Sequence, residues 1–275
     1  MKKIAPILDK YVLTGISLLA GILLLGALAP WISPHDPLAI NLTNRLSSPT
    51  WTYPFGTDHL GRCVLSRVLY GIRISVTSSF AITVITLLIS LPIGLFTGYV
   101  RGRIDRIFMR MLDSTLAIPD IVFMIAIVGV LGPDLFHVIL AIIMVRWANY
   151  VRMIRSLVLK VSQEEYILAA RMSGNTPGQI MRRYLLPQIA PSVAVFGALD
   201  MGRIVLLIAG LSFLGLGAQP PTPEWGVMLH DATAYFQIAP HVMIVPGLAI
   251  IVFVLGCHVI GERYRELGPQ LSKEV

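Results

Sequence analysis

Six apolar stretches long enough to cross a bilayer stand along the chain, at roughly residues 11–32, 74–100, 107–132, 136–158, 191–217 and 241–262. None shows the alternation of a barrel strand, and backbone surrounded by lipid must satisfy its own hydrogen bonds, so the pattern predicts six transmembrane α-helices in an all-α, polytopic protein. The polar stretches between them differ in character. Residues 33–73 carry Pro34, Pro37, Pro49 and Pro54 and predict an irregular loop, with apolar spacing over 60–70 that fits a short interfacial helix. Residues 163–188 interrupt the second half: a short helix over 166–173, a stop at Gly174, and a second helix from about Pro177 to Leu186 that Pro187 closes. Pro119 predicts a kink within the third span.

Charge orients the spans. With the N-terminus inside, the inner segments hold Lys2, Lys3, Lys10, Arg101, Arg103, Arg106, Arg110, Arg152, Arg155, Lys160, Arg171, Arg182, Arg183, Arg263, Arg265 and Lys273. The outer ones hold Arg45, Arg62, Arg67 and Arg73, so both termini are expected in the cytoplasm. Only 13% of residues are charged, against about 25% in soluble domains. The net charge of +7 lies beside the spans and marks membrane orientation rather than nucleic-acid binding. Ala27-Leu28-Ala29 has the spacing of a signal-peptide cleavage site, but Pro30 follows directly and the apolar run is long enough to span, which predicts a retained first helix. Three segments follow: 1–73, the first helix with a long extracytoplasmic loop; 74–262, the transmembrane core including the 163–188 loop; and 263–275, a cytoplasmic tail.

Charges within spans are candidate pathway residues, because burying an ion in lipid is costly. Arg146 either lines a polar route or snorkels to the inner headgroups. Asp200 and Arg203 share a helix face and either hold helices together or line the route. Asp58 fits a helix cap that pairs with Arg62 at i+4, in preference to a ligand contact. Cys63 and Cys257 lie at different depths and are not expected to pair. His35, His59, His230 and His241 fall near the outer surface, but no pair has metal-site spacing, so no metal site is assigned.

Three motifs carry a resemblance. Glu165, Tyr166, Ala169, Ala170, Gly174, Leu186 and Pro187 resemble the cytoplasmic coupling loop of bacterial ABC-importer permeases, with Leu168 where that motif has Glu and Tyr184 where it has Ile. Phe55, Gly56, Thr57, Asp58, Gly61 and Arg62 resemble the signature near the start of dipeptide, oligopeptide and nickel permeases, with Cys63 replacing its final Asp. The 210–229 string GLSFLGLGAQPPTPEWGVML is similar to a third segment of the same permeases. The resemblance implies a type I ABC-importer permease fold. It also implies a second permease forming a heterodimer, two ATPase subunits that bind ATP-Mg, and an extracytoplasmic substrate-binding protein. No Gly-Lys dipeptide occurs, so this chain lacks a Walker loop and is expected to be a transport subunit, not an enzyme and without a cofactor of its own. For the 163–188 loop, a solvated amphipathic linker is the alternative to ATPase docking.

Two other classes compete. An intramembrane serine protease would use Ser212 and His258, but these lie about a dozen residues apart in depth, roughly 18 Å at helical rise. A secondary transporter would show matched discontinuous helices. The motif wording favours nickel or a metal chelate as cargo, with di- or oligopeptides as the alternative.

Overall fold

The computed structural model describes the backbone of residues 10–271 and the side chains of 13–261 except residue 104. Lys2, Lys3, Arg263, Arg265 and Lys273, used above for orientation, lie outside the described side chains, as does Lys10. Ten α-helices order the described residues: α1 (Lys10–Ile32), α2 (Val64–Val100), α3 (Arg103–Leu116), α4 (Asp120–Leu131), α5 (Leu135–Val161), α6 (Glu165–Met172), α7 (Pro177–Ile180), α8 (Leu186–Phe213), α9 (Trp225–Ala232) and α10 (His241–Leu271). No strand forms among the described residues beyond an isolated bridge between Thr57 and Cys63.

Among the described residues five helices are long and apolar enough to cross a membrane, and the bent pair α3–α4 makes a sixth crossing if it counts as one span. That pair corrects the expected third span. Instead of one kinked helix over 107–132, α3 and α4 meet at 86° across residues 117–119. Pro119 lacks the N–H that would continue the ladder, and Asp120 takes the first turn of a new helix, where its charge suits the positive end.

The second span also begins earlier than expected. No separate interfacial helix forms over 60–70, because α2 starts at Val64 and runs unbroken for 37 residues, about 55 Å against a hydrocarbon core of about 30 Å. Nothing between Val64 and Ile74 breaks helix geometry, and the apolar spacing there continues that of the span.

The described structure divides into two compact units. The first comprises residues up to Ala81, Val128–Ile139 and those from Ala198 onward. Its core gathers Val64, Val68 and Ile72 of α2, Ala209 of α8, Trp225 and Met228 of α9, and Phe253 of α10. Here α1 and α10 are antiparallel, since a Cβ on Gly15 would meet Ile260 at 2.8 Å and one on Gly256 would meet Leu19 at 2.8 Å. The start of α1 therefore lies beside the C-terminal half of α10. α8 and α10 are antiparallel too, with Gly202 against Cys257 and Gly261 against Leu199.

The second unit comprises Ile82–Ile127 and Leu140–Gly197. Gly94 and Gly98 of α2 pack on Ile154 and Val158 of α5, close enough that a Cβ at either glycine would sit 2.7–2.8 Å from the opposing side chain. The register advances in the same direction on both helices, so α2 and α5 are parallel. The intervening α3–α4 must then carry the chain back, which is why the bent pair acts as one crossing.

Candidate functional site

The 163–188 loop is built by local chemistry on a packed base. α6 ends where the sequence predicts: Gly174 takes φ +79°, its N–H donates to Arg171 O at 3.0 Å, and the Asn175 N–H and side-chain amide both donate to Ala170 O. α7 opens with a capping box, in which the Thr176 hydroxyl accepts from the Gln179 N–H and the Gln179 side chain accepts from the Thr176 N–H.

Pro187 does not close this second helix. α7 runs through a π-turn, Met181–Leu185, into α8, giving one continuous helix over Pro177–Phe213. The Pro187 ring would meet the carbonyl four residues back in a regular helix. The wider turn, with the Leu186 N–H reaching Met181 O, gives that ring room.

Ile167 of α6, Ile180 of α7, and Leu185 bury into a cluster with Leu95, Ile154, Val158, Ile189 and Val193, while Tyr184 and Leu186 pack at its edge; Ala170 of α6 is buried as well. Arg171 fastens the outer side, donating from Nε to the Tyr99 hydroxyl at 2.9 Å with its guanidinium 4.7 Å over that ring. The Tyr166 phenol is held above its ordinary pKa, first by partial burial and then by the neighbouring Glu164.

The opposite face of α6 is left outward. Glu165, Leu168, Ala169 and Met172 follow the i, i+3, i+4, i+7 spacing of one face, and Leu168 and Met172 are 58% and 83% exposed. Leu168, a departure from the motif when read in sequence, is thus half of an apolar pair. Met172 was missed; its i+4 spacing from Leu168, opposite Ile167, was the available signal. Pro187 is exposed, as are Arg182 and Arg183.

The intramembrane charges separate. Arg146 is 2% exposed, twelfth of 27 residues in α5, with Nη1 3.6 Å from Asp120 Oδ2. A carboxylate at the start of α4 stabilises the guanidinium in place, and the sequence could not pair them because the partner lies across the unexpected break. Two more pairs join α3 to α5, Asp105 with Arg155 in a two-pronged contact at 2.9 Å and Asp113 with Arg152 at 2.6 Å. On α8, Asp200 is buried and Arg203 exposed.

The motifs at 55–62 and 210–229 interlock within the first unit. Asp58 pairs with Arg62 at 2.6 Å as expected, but it does not cap a helix. Its Oδ1 accepts from the Leu60 and Arg62 N–H groups and shapes the turn six residues before α2 begins. Arg62 also approaches Asp231 at 3.5 Å, and Arg67 donates to the carbonyls of Pro37 and Pro221. Glu224 is fully buried, accepting from the Val227 N–H and the Ser75 hydroxyl. Gly215, at φ +79°, ends α8 at Phe213, so Gly215 and Gly217 lie beyond the helix and not inside the expected 191–217 span.

Cys63 and Cys257 are unpaired thiols. His35 stacks on Tyr53, His59 stacks on Tyr235, and the His230 ring contacts Phe213 O. No group of three metal-capable side chains gathers among the described residues. The protease geometry also fails. Gly202 lies level with Cys257 on antiparallel helices, so Ser212 sits eleven residues, about 16 Å, from the level of His258.

Residues 90–264 match the protein family described as "Binding-protein-dependent transport system inner membrane component". The chain is 40% identical over 258 residues to the nickel transport system permease protein NikC of Escherichia coli K12, covering 94% of this chain and 93% of that one. It is 36% identical over 265 residues to the dipeptide transport system permease protein DppC of Alkalihalophilus pseudofirmus, covering 96% and 87%. Among solved structures, an inward-facing MetNI methionine ABC transporter chain superposes with a TM-score of 0.60 at 19% identity, over 72% of this chain and 94% of that one, which establishes the fold. The chain therefore belongs to the family of binding-protein-dependent transport system inner membrane components, as a multi-pass permease subunit of an ABC importer.

Proposed function

We propose that this permease carries nickel, as the ion or a chelate, and that residues 163–188 couple it to the ATPase subunits. The observation that carries the coupling reading is the outward face Glu165–Leu168–Ala169–Met172, standing on a base fixed by Ile167, Ala170 and Ile180. Two large apolar side chains held in water by a rigid base lower the free energy when a partner covers them. In this reading Glu165 supplies the acidic contact that Leu168 cannot, Tyr166 flanks it, Gly174 sets the turn, and Leu186 with Pro187 passes the motion into α8. The ATPases bind ATP-Mg and this chain supplies no nucleotide motif. A different permease completes the pathway, with Arg146, Asp200 and Arg203 contributing to its lining, and a binding protein delivers cargo from outside.

Both termini then lie in the cytoplasm, in keeping with the neighbouring start of α1 and inner half of α10. Residues 1–73 form the first helix and outer loop, 74–262 the permease core and 263–275 a tail. The nickel reading rests on the nickel permease relative at 40% identity; the dipeptide relatives supply the second reading. Uptake of radiolabelled nickel and of a labelled dipeptide by cells with and without this chain, partners intact, tests both. Nickel entry that disappears while dipeptide entry stays supports the first reading, and the reverse supports the second.

A further inference from the structure

We propose that the exposed face of α3 binds anionic phospholipid headgroups of the cytoplasmic leaflet, an inference that rests on the cytoplasmic placement given above for this end of the second unit. Arg103, Arg106 and Arg110 fall within about 60° of one another around the helix, and all three are exposed, as is Arg101 in the preceding turn. The acids of α3 do not offset them: Asp105 is buried against Arg155, and Asp113 is paired with Arg152. Beside the arginine stripe stand Ile107 and Met111, 60% and 53% exposed. A basic stripe bordered by apolar residues is the pattern of a helix lying in the headgroup region.

Depth separates this face from the coupling loop. Asp105 pairs six residues before the end of α5, about 9 Å membrane-ward of Val161, where the chain leaves for the loop. From Asp105 to Asp113 is about 12 Å along α3, whereas their partners Arg155 and Arg152 are about 4.5 Å apart along α5. α3 thus crosses obliquely at headgroup depth, and the 86° break carries α4 away from it. A soluble partner resting on α6 would have to reach past the loop to touch this stripe. Lipid phosphates surround it at that level.

The test is native mass spectrometry of the complete purified transporter, equilibrated with phosphatidylglycerol or with phosphatidylcholine. The wild type is expected to retain phosphatidylglycerol preferentially. A variant with Arg103→Gln, Arg106→Gln and Arg110→Gln is expected to lose about fivefold of that preference per arginine removed. The matching triple Lys variant, which keeps the charge, is expected to hold it and so excludes misfolding as the cause. Equal retention of both lipids by the wild type, or a Gln variant that keeps its preference, overturns the proposal. Loss of the ATPase subunits from the Gln variant with lipid retention unchanged also overturns it, identifying a protein interface instead. Labelling of Ser114→Cys by a membrane-impermeant maleimide from the outside would refute the cytoplasmic placement and leave the headgroup result to stand or fall by itself.

Discussion

Gly174 gives the sharpest test of the proposed coupling role of the 163–188 loop. Its φ of +79° costs an L-residue about 1–2 kcal/mol, and a Cβ built there meets nothing within 4 Å, so backbone strain is the whole intrinsic effect. Gly174→Ala should therefore loosen the turn by about 1–2 kcal/mol, a factor of roughly 5–30 in the population of the opened turn. Gly174→Asn and Gly174→Asp should cost less, because short polar side chains tolerate this conformation, and Gly174→Val should cost more. Hydrogen exchange of the Gly174 and Asn175 amides, which donate to Arg171 and Ala170, reads the turn directly in the reconstituted transporter. Cargo uptake and ATP hydrolysis by the transporter read its consequence. If strain governs coupling, uptake falls in the order Asn and Asp least, then Ala, then Val, in step with exchange. The reasoning is refuted if Asp abolishes uptake while exchange stays at wild-type protection and Ala is harmless. The position would then be limited by what the partner brings to it and not by the backbone.

Leu168→Ala and Met172→Ala should each weaken association with the ATPase subunits, by up to about 2 kcal/mol where docking covers the side chain fully, with the transporter's thermal stability unchanged; a pull-down titration measures this. Gly61→Ala should be far worse than Gly174→Ala despite a similar φ of +74°, because its Cβ would overlap the Asn41 carbonyl. Strain and overpacking together amount to about 2–5 kcal/mol, read as a loss of thermal stability. Arg155→Gln should destabilise by up to about 3 kcal/mol by leaving Asp105 buried without its cation, and the double variant with Asp105→Asn should recover much of the loss in thermal unfolding.

The turn of the 163–188 loop was legible because its signals are local. Gly174 at a positive φ and Thr176 with Gln179 in a capping box are settled within four residues of chain. The fate of Pro187 was not, since a proline that ends an isolated helix can instead be accommodated by a π-turn when Leu185, Ile189 and Val193 are gathered into one cluster. Asp58 and Arg62 were readable as a pair at i+4, but the further contact of Arg62 with Asp231 joins segments far apart in sequence.

The sequence by itself determined that the chain is helical and crosses a membrane, because only runs of apolar residues long enough to satisfy their backbone internally can do so. It also determined where the loop turns, through glycine and capping chemistry. Tertiary structure alone decided that the third crossing is two helices at 86°, that Arg146 faces Asp120, and that Leu168 and Met172 remain uncovered opposite Ile167. Each of these depends on which face of a helix meets a neighbour, and helical periodicity names the faces without saying what lies against them.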